Sequence, residues 1–173
     1  MVSKNFFEVI RAGINTTFQD EGRKNLYHIG ITFSGAMDKR NYLIANKLVG
    51  NNLNAPVVEF AYQGPLLRYT GYEINFVITG DVSFIIRSKG KEINGNCYEV
   101  YNLKNNDEID ILSTNKSVYG YFNISGEFKL EPQWNSYSIN TKAKIGPNNG
   151  KKFEKNQKIF ISKIFSDQNK KKN

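Results

Sequence analysis

Apolar and polar residues alternate in short bursts along most of this chain, and glycine-bearing dipeptides punctuate the bursts. FFEVIRAGINTTFQD sets β-branched and aromatic residues on either side of Ala12-Gly13, which predicts two short strands around a turn. APVVEFAYQGPLLRY predicts a strand, a Gly64-Pro65 turn and a second strand. YEINFVITGDVSFIIRSKGKEI continues the pattern, with Gly80-Asp81 and Lys89-Gly90 as turns. CYEVYNL, DEIDILS, VYGYFNIS and KIFISKIF read as further strands, the first of them carrying Cys97. One segment breaks the period of two. AMDKRNYLIANKLVGNN predicts a helix capped by Asp38, stopped by Gly50-Asn51, with Leu43, Ile44 and Leu48 as its apolar stripe. Roughly eight to ten short strands with one helix predict a mainly β fold, a closed barrel or a sandwich.

Composition narrows this further. A length of 173 residues suits one domain, read here as residues 1–165 followed by a basic tail at 166–173. With 39% hydrophobic and 13% aromatic residues the chain can fill a core, and its mean hydropathy of -0.52 reflects abundant Lys and Asn. No apolar run reaches the roughly 18 residues of a membrane span, and the N-terminus lacks the pattern of a signal peptide. A single cysteine excludes an internal disulfide framework and suits a reducing compartment. These features predict a cytoplasmic protein without a membrane partner.

The net charge of +8 raises the question of nucleic acid. Residues 151–173 hold eight lysines against Glu154 and Asp167, a net of +6, which leaves +2 for the first 150 residues. A charge run at a chain end reads as a solvated tail. The body carries neither a basic stripe interleaved with aromatics nor a helix-turn-helix or zinc-finger pattern, so no nucleic-acid partner is expected.

Chemistry-bearing motifs are few. His28 is the single histidine, read as a partly buried hydrogen-bonded residue, and no cluster has metal-ligand spacing, so no metal is expected. GxSxG, HExxH and the Walker phosphate loop are all missing. What stands out are two glycine-punctuated polar knots, QDEGR at 19–23 and SGAMD at 34–38. Each has two readings. In the first knot, Asp20 and Arg23 either pair to brace a turn or, with Gln19, present donors and acceptors to a cleft, where an Arg fork suits a carboxylate or phosphate. In the second, Ser34 and the amides at the helix start are either a plain loop or an anion site.

In this order, TFQDEGR, HIGITFSGAMDKRNYLIANKLVGN, VVEFAYQGPLLRY and VITGDVSF resemble the start of the biotin-dependent carboxyltransferase family. That family includes the C component of 5-oxoprolinase, the second component of allophanate hydrolase and the kinase-inhibitor antagonist. The resemblance covers the N-terminal half of the family and nearly all of this chain. It fades later, where Glu127 replaces a glycine, Pro147 another, Lys151 an arginine and Asn156-Gln157 a Gly-Asp pair. It implies a cyclophilin-like β-barrel with one short helix. It also implies a subunit of an ATP-dependent 5-oxoprolinase, which opens 5-oxoproline to glutamate. ATP would be shared with partners: a subunit resembling the kinase-inhibitor family and a separate C-terminal half. The alternatives are a carboxyltransferase component acting on urea or a related amide, with biotin on a partner, or a non-catalytic regulatory or truncated fragment. Carried onto this sequence, the family's motifs imply Asp20, Arg23 and Ser34 as catalytic residues and Gln19, Gly35 and Asp38 as substrate-binding ones. Asn46, Asn51 and Glu59 would support them. Arg23 would bind an anionic group and Asp20 would orient it.

Overall fold

The computed structural model describes residues 4–165, so the predicted basic tail lies outside the described residues. The chain is mainly β with one α-helix, as its periodicity predicts. The strands are β1 (Phe6–Arg11), β2 (Thr17–Gln19), β3 (Val57–Ala61), β4 (Leu66–Thr70), β5 (Ile74–Thr79) and β6 (Val82–Ser88). They continue with β7 (Lys91–Gly95), β8 (Val100–Leu103), β9 (Glu108–Thr114), β10 (Tyr119–Ile124), β11 (Gly126–Phe128) and β12 (Lys158–Ile164). Helix α1 (Lys39–Val49) is inserted between β2 and β3.

The strands form two antiparallel sheets, a larger one in the order β11-β12-β1-β4-β9-β6-β7 and a smaller one in the order β2-β3-β10-β5-β8. The chain passes repeatedly from one sheet to the other, at the predicted Gly64-Pro65 and Gly80-Asp81 turns among others. Their inner faces bury a shared aromatic core that includes Phe7, Phe18, Phe60, Phe76, Phe84, Phe122 and Phe153. Alternation accounts for it: in β4 Leu67 and Tyr69 point inward while Leu66, Arg68 and Thr70 do not. The strands total twelve among the described residues because short ones such as β11 carry too few residues to show a period.

Two expectations need correction. Cys97 is in the turn before β8, not on a strand, with its thiol half-buried against the Val82 carbonyl. The helix begins after its predicted cap, with Asp38 accepting from the Asn41 N–H, and ends at Gly50 in the left-handed region at φ 74°. Its buried face, however, is Tyr42, Ala45, Asn46 and Val49; of the predicted stripe, Leu48 packs half-buried against this cluster while Leu43 is exposed. That face lies on the outer side of the smaller sheet, where Ala36, Val57, Val77 and Tyr121 complete a second apolar cluster. Among the described residues no helix is long and apolar enough to cross a membrane.

Candidate functional site

The site follows from strand register. On the outer face of the smaller sheet, Thr17 of β2 faces Glu59 of β3, Glu59 faces Tyr121 of β10, and Tyr121 faces Thr79 of β5. Four polar side chains therefore cross the sheet in one row, at the N-terminal end of α1. The loop leading into the helix docks on this row. The Met37 N–H donates to Glu59 Oε2 at 2.8 Å, the Asp38 N–H to the Tyr121 hydroxyl at 2.7 Å, and that hydroxyl to Glu59 Oε2 at 2.8 Å. The Thr79 hydroxyl donates to the Asn41 carbonyl at 2.8 Å.

Glu59 is only 3% exposed. Burial pushes its carboxyl above the ordinary value near 4.5, opposed by the bonds from Met37 and Tyr121, and the Asp38 carboxylate adds to the rise. Burial, with the neighbouring Glu59 charge, also raises the Tyr121 phenol, so it stays a donor. Both of the carboxyl's bonds fall on Oε2, and Glu59 lines an open cleft of about 290 Å³.

Gln19, Ser34 and Gly35 line the same cleft, as do Asn140 and Lys142. Gln19 is 6% exposed and its Nε2 donates to the Thr17 hydroxyl and to the Ile139 carbonyl at 2.9 and 3.0 Å. A carbonyl only accepts, so this contact fixes the amide's orientation. Gln19 Oε1 is then left buried without a hydrogen-bond donor. Ser34 sits at φ 57° and its hydroxyl faces the Asn140 amide at 3.4 Å. Among the described residues its one side-chain hydrogen bond is from that amide. Gly35 is required by the close approach of the two knots: at φ 94°, an added Cβ would meet the Glu21 carbonyl oxygen at 2.9 Å.

The remaining predicted residues are not among those lining this cleft. Among the described residues Asp20 and Arg23 form no ion pair, which one of the two readings of the first knot required. Asp20 Oδ1 accepts from the Gly22 N–H and from the Ser136 and Ser138 hydroxyls at 2.6–2.8 Å, and Oδ2 accepts from the Tyr137 N–H at 2.6 Å. It thereby staples the first knot to the segment that carries Ile139 and Asn140 into the cleft. Arg23, 1% exposed, donates through Nη2 to the Ser138 carbonyl at 2.5 Å, while Nε and Nη1 are buried without partners. Burial lowers its pKa and the Asp20 charge counters this. It is not among the residues lining the cleft. Asp38 caps α1. Asn46 binds the Leu53 and Ala55 carbonyls and accepts from Asn123, and Asn51 clamps Gly126 through both its amide atoms. His28 is exposed on a short 3-10 turn rather than partly buried. Sequence reasoning missed Tyr121, Asn140 and Lys142; for Tyr121 the only signal is its register with Glu59, which no local pattern carries.

The chain belongs to the carboxyltransferase domain family, subdomain A and B, which matches residues 29–173. It is 30% identical to the C component of 5-oxoprolinase from Haemophilus influenzae over 80% of this chain and 44% of that one. It is 27% identical to the Escherichia coli protein of the same name, over 92% of this chain and 50% of that one. Urea amidolyase of Saccharomyces cerevisiae is 27% identical over 89% of this chain and 8% of its own length. Among solved structures, the urea carboxylase of Kluyveromyces lactis superposes with a TM-score of 0.85 at 26% identity, covering 93% of this chain and 14% of that one. The chain thus spans half or less of the length of these relatives.

Proposed function

We propose that this chain supplies the N-terminal subdomain of a 5-oxoprolinase component, acting with the rest of that component and with partner subunits in the ATP-dependent opening of 5-oxoproline to glutamate. The observation that carries this reading is Gln19, a residue of the cleft wall whose buried Oε1 has no donor, in a cleft that also holds a buried carboxyl of raised pKa. An unpartnered buried acceptor favours a ligand that brings an N–H, and a lactam brings one. In this reading Gln19 accepts the ring N–H, Lys142 meets the substrate carboxylate at the rim, and Ser34 hydrogen-bonds the carbonyl side. Glu59, held by Tyr121 and Met37, carries a proton to or from the opening amide. Asp20 is a positioning residue that fixes the segment whose Ile139 carbonyl holds Gln19.

ATP does not fit this cleft: among its lining residues Lys142 is the one cation to set against a polyphosphate. Nucleotide binding is therefore assigned to the partner subunits, one of them resembling the kinase-inhibitor family. A second reading, carboxyl transfer to urea or a related amide, is favoured by the likeness to the Kluyveromyces lactis urea carboxylase. The ureido N–H of biotin fits the same Gln19 acceptor, and biotin on a partner would supply an activated carboxyl group.

The test is ATP hydrolysis by the chain reconstituted with its candidate partner subunits, with 5-oxoproline and urea as alternative substrates. Stimulation by 5-oxoproline alone is expected. Stimulation by urea alone, requiring a biotinylated partner, would replace this reading with the second.

A further inference from the structure

On the other side of the Asp20 staple is a second, larger cleft of about 510 Å³ to which none of the chemistry above gives a role. Its most exposed aromatic is Trp134, 47% exposed. Trp134 occupies an unusual place. Gln133 and Ser136 are bridged as an antiparallel pair, and the two residues between them, Trp134 and Asn135, have φ of 52° and 56°. Two left-handed residues between bridged partners define the tight hairpin turn that Asn-Gly satisfies best, and a bulky aromatic is an outlier there. The turn is held from both sides. Ser136 and Tyr137 bond the Asp20 carboxylate, and Gln133 Oε1 accepts from the Gly146 N–H at 2.8 Å. The indole is thus held out of the core, at the cleft, by a rigid support.

The other walls are polar but carry little net charge. Lys24 and Glu21 pair at 3.3 Å, and both Asp20 oxygens are already engaged. Asn25, Asn54 and Asn135 also line the cleft, and their side-chain amides have no hydrogen-bond partner among the described residues. A carboxamide both donates and accepts, which matches a hydroxyl group that does the same. An indole face attracts the C–H face of a saturated ring or the plane of a base.

We propose that this cleft binds an uncharged, hydroxyl-bearing ring, with its face on the Trp134 indole and its hydroxyls shared among the three amides. A pyranoside and a nucleoside are the two sources of that chemistry. The site is separate from the Gln19–Glu59 cleft and does not depend on the function proposed for it.

Trp134 is the only tryptophan in the chain, so intrinsic emission reports occupancy directly. Methyl glucoside and adenosine are titrated at millimolar concentrations against the whole chain. A saturable change in emission with the glucoside assigns a saccharide, and one with adenosine assigns a nucleoside. Asn54→Ala, at an exposed position, is expected to weaken binding several-fold with an unchanged circular-dichroism spectrum. Trp134→Ala, followed by calorimetry, is expected to weaken it about tenfold. No saturable change with either probe, or equal affinity in both variants, overturns the proposal.

Discussion

Each sheet carries one in-register row of polar side chains, and the two rows have opposite fates. On the larger sheet Glu8, Arg68, Glu108, Arg87 and Glu92 face one another across β1, β4, β9, β6 and β7 in alternating sign. Their contacts run from 2.7 to 4.0 Å and Arg87 also reaches Asp110, but no helix covers them and the three central side chains are 21–44% exposed. Water screens such pairs, so the row keeps the face soluble and fixes register at little net gain. On the smaller sheet Thr17, Glu59, Tyr121 and Thr79 form the other row, buried under the helix entry. There a charge cannot be screened, so every bond matters and the pKa moves. Burial, more than the number of charges, marks where chemistry can be done.

The largest effect expected of a single change lies at the staple beneath the cleft. Asp20→Ala leaves two hydroxyls and two backbone N–H groups without their acceptor in a buried site. A loss of about 3 kcal/mol or more is expected in urea denaturation; a loss below about 1 kcal/mol would place the staple with the exposed row.

Glu59→Gln gives a smaller effect with a characteristic pH dependence. Because the folded carboxyl has a raised pKa, its protonated form contributes stability that is complete below the unfolded value and is lost as pH rises through the folded one. The wild type is therefore expected to lose stability relative to Glu59→Gln as pH rises above about 4.5. Denaturation midpoints of the two proteins compared across pH check this, and parallel curves would mean that the carboxyl is not perturbed. Least of all, Arg68→Ala in the exposed row is expected to cost under about 1 kcal/mol, and less still in high salt. A cost independent of salt would show that this row is not screened.

Local rules made much of this molecule legible. Turn glycines placed most strands, and Asp38 with Gly50 bounded the helix, because caps and turns depend on residues a few positions apart. The helix face departs from the apolar stripe because Asn46 turns inward to bind Leu53, Ala55 and Asn123, a tertiary demand that outweighs that stripe. The knots were recognisable as special, yet their wiring was not. Asp20 and Arg23 find their partners 115–118 residues away, in serines with no local signature. Likewise, only register with Thr17 and Tyr121 brings Glu59 beside Gln19 in a cleft.

The most direct test of the central claim, that the buried row forms the working site, is 5-oxoproline-stimulated turnover by Glu59→Gln in the reconstituted assembly. The variant keeps the shape and the Oε contacts of Glu59 but cannot carry its proton. Turnover is expected to fall about 100-fold or more, with little change in the amount of folded assembly. Turnover equal to that of the wild type would contradict the account and move the chemistry out of this cleft.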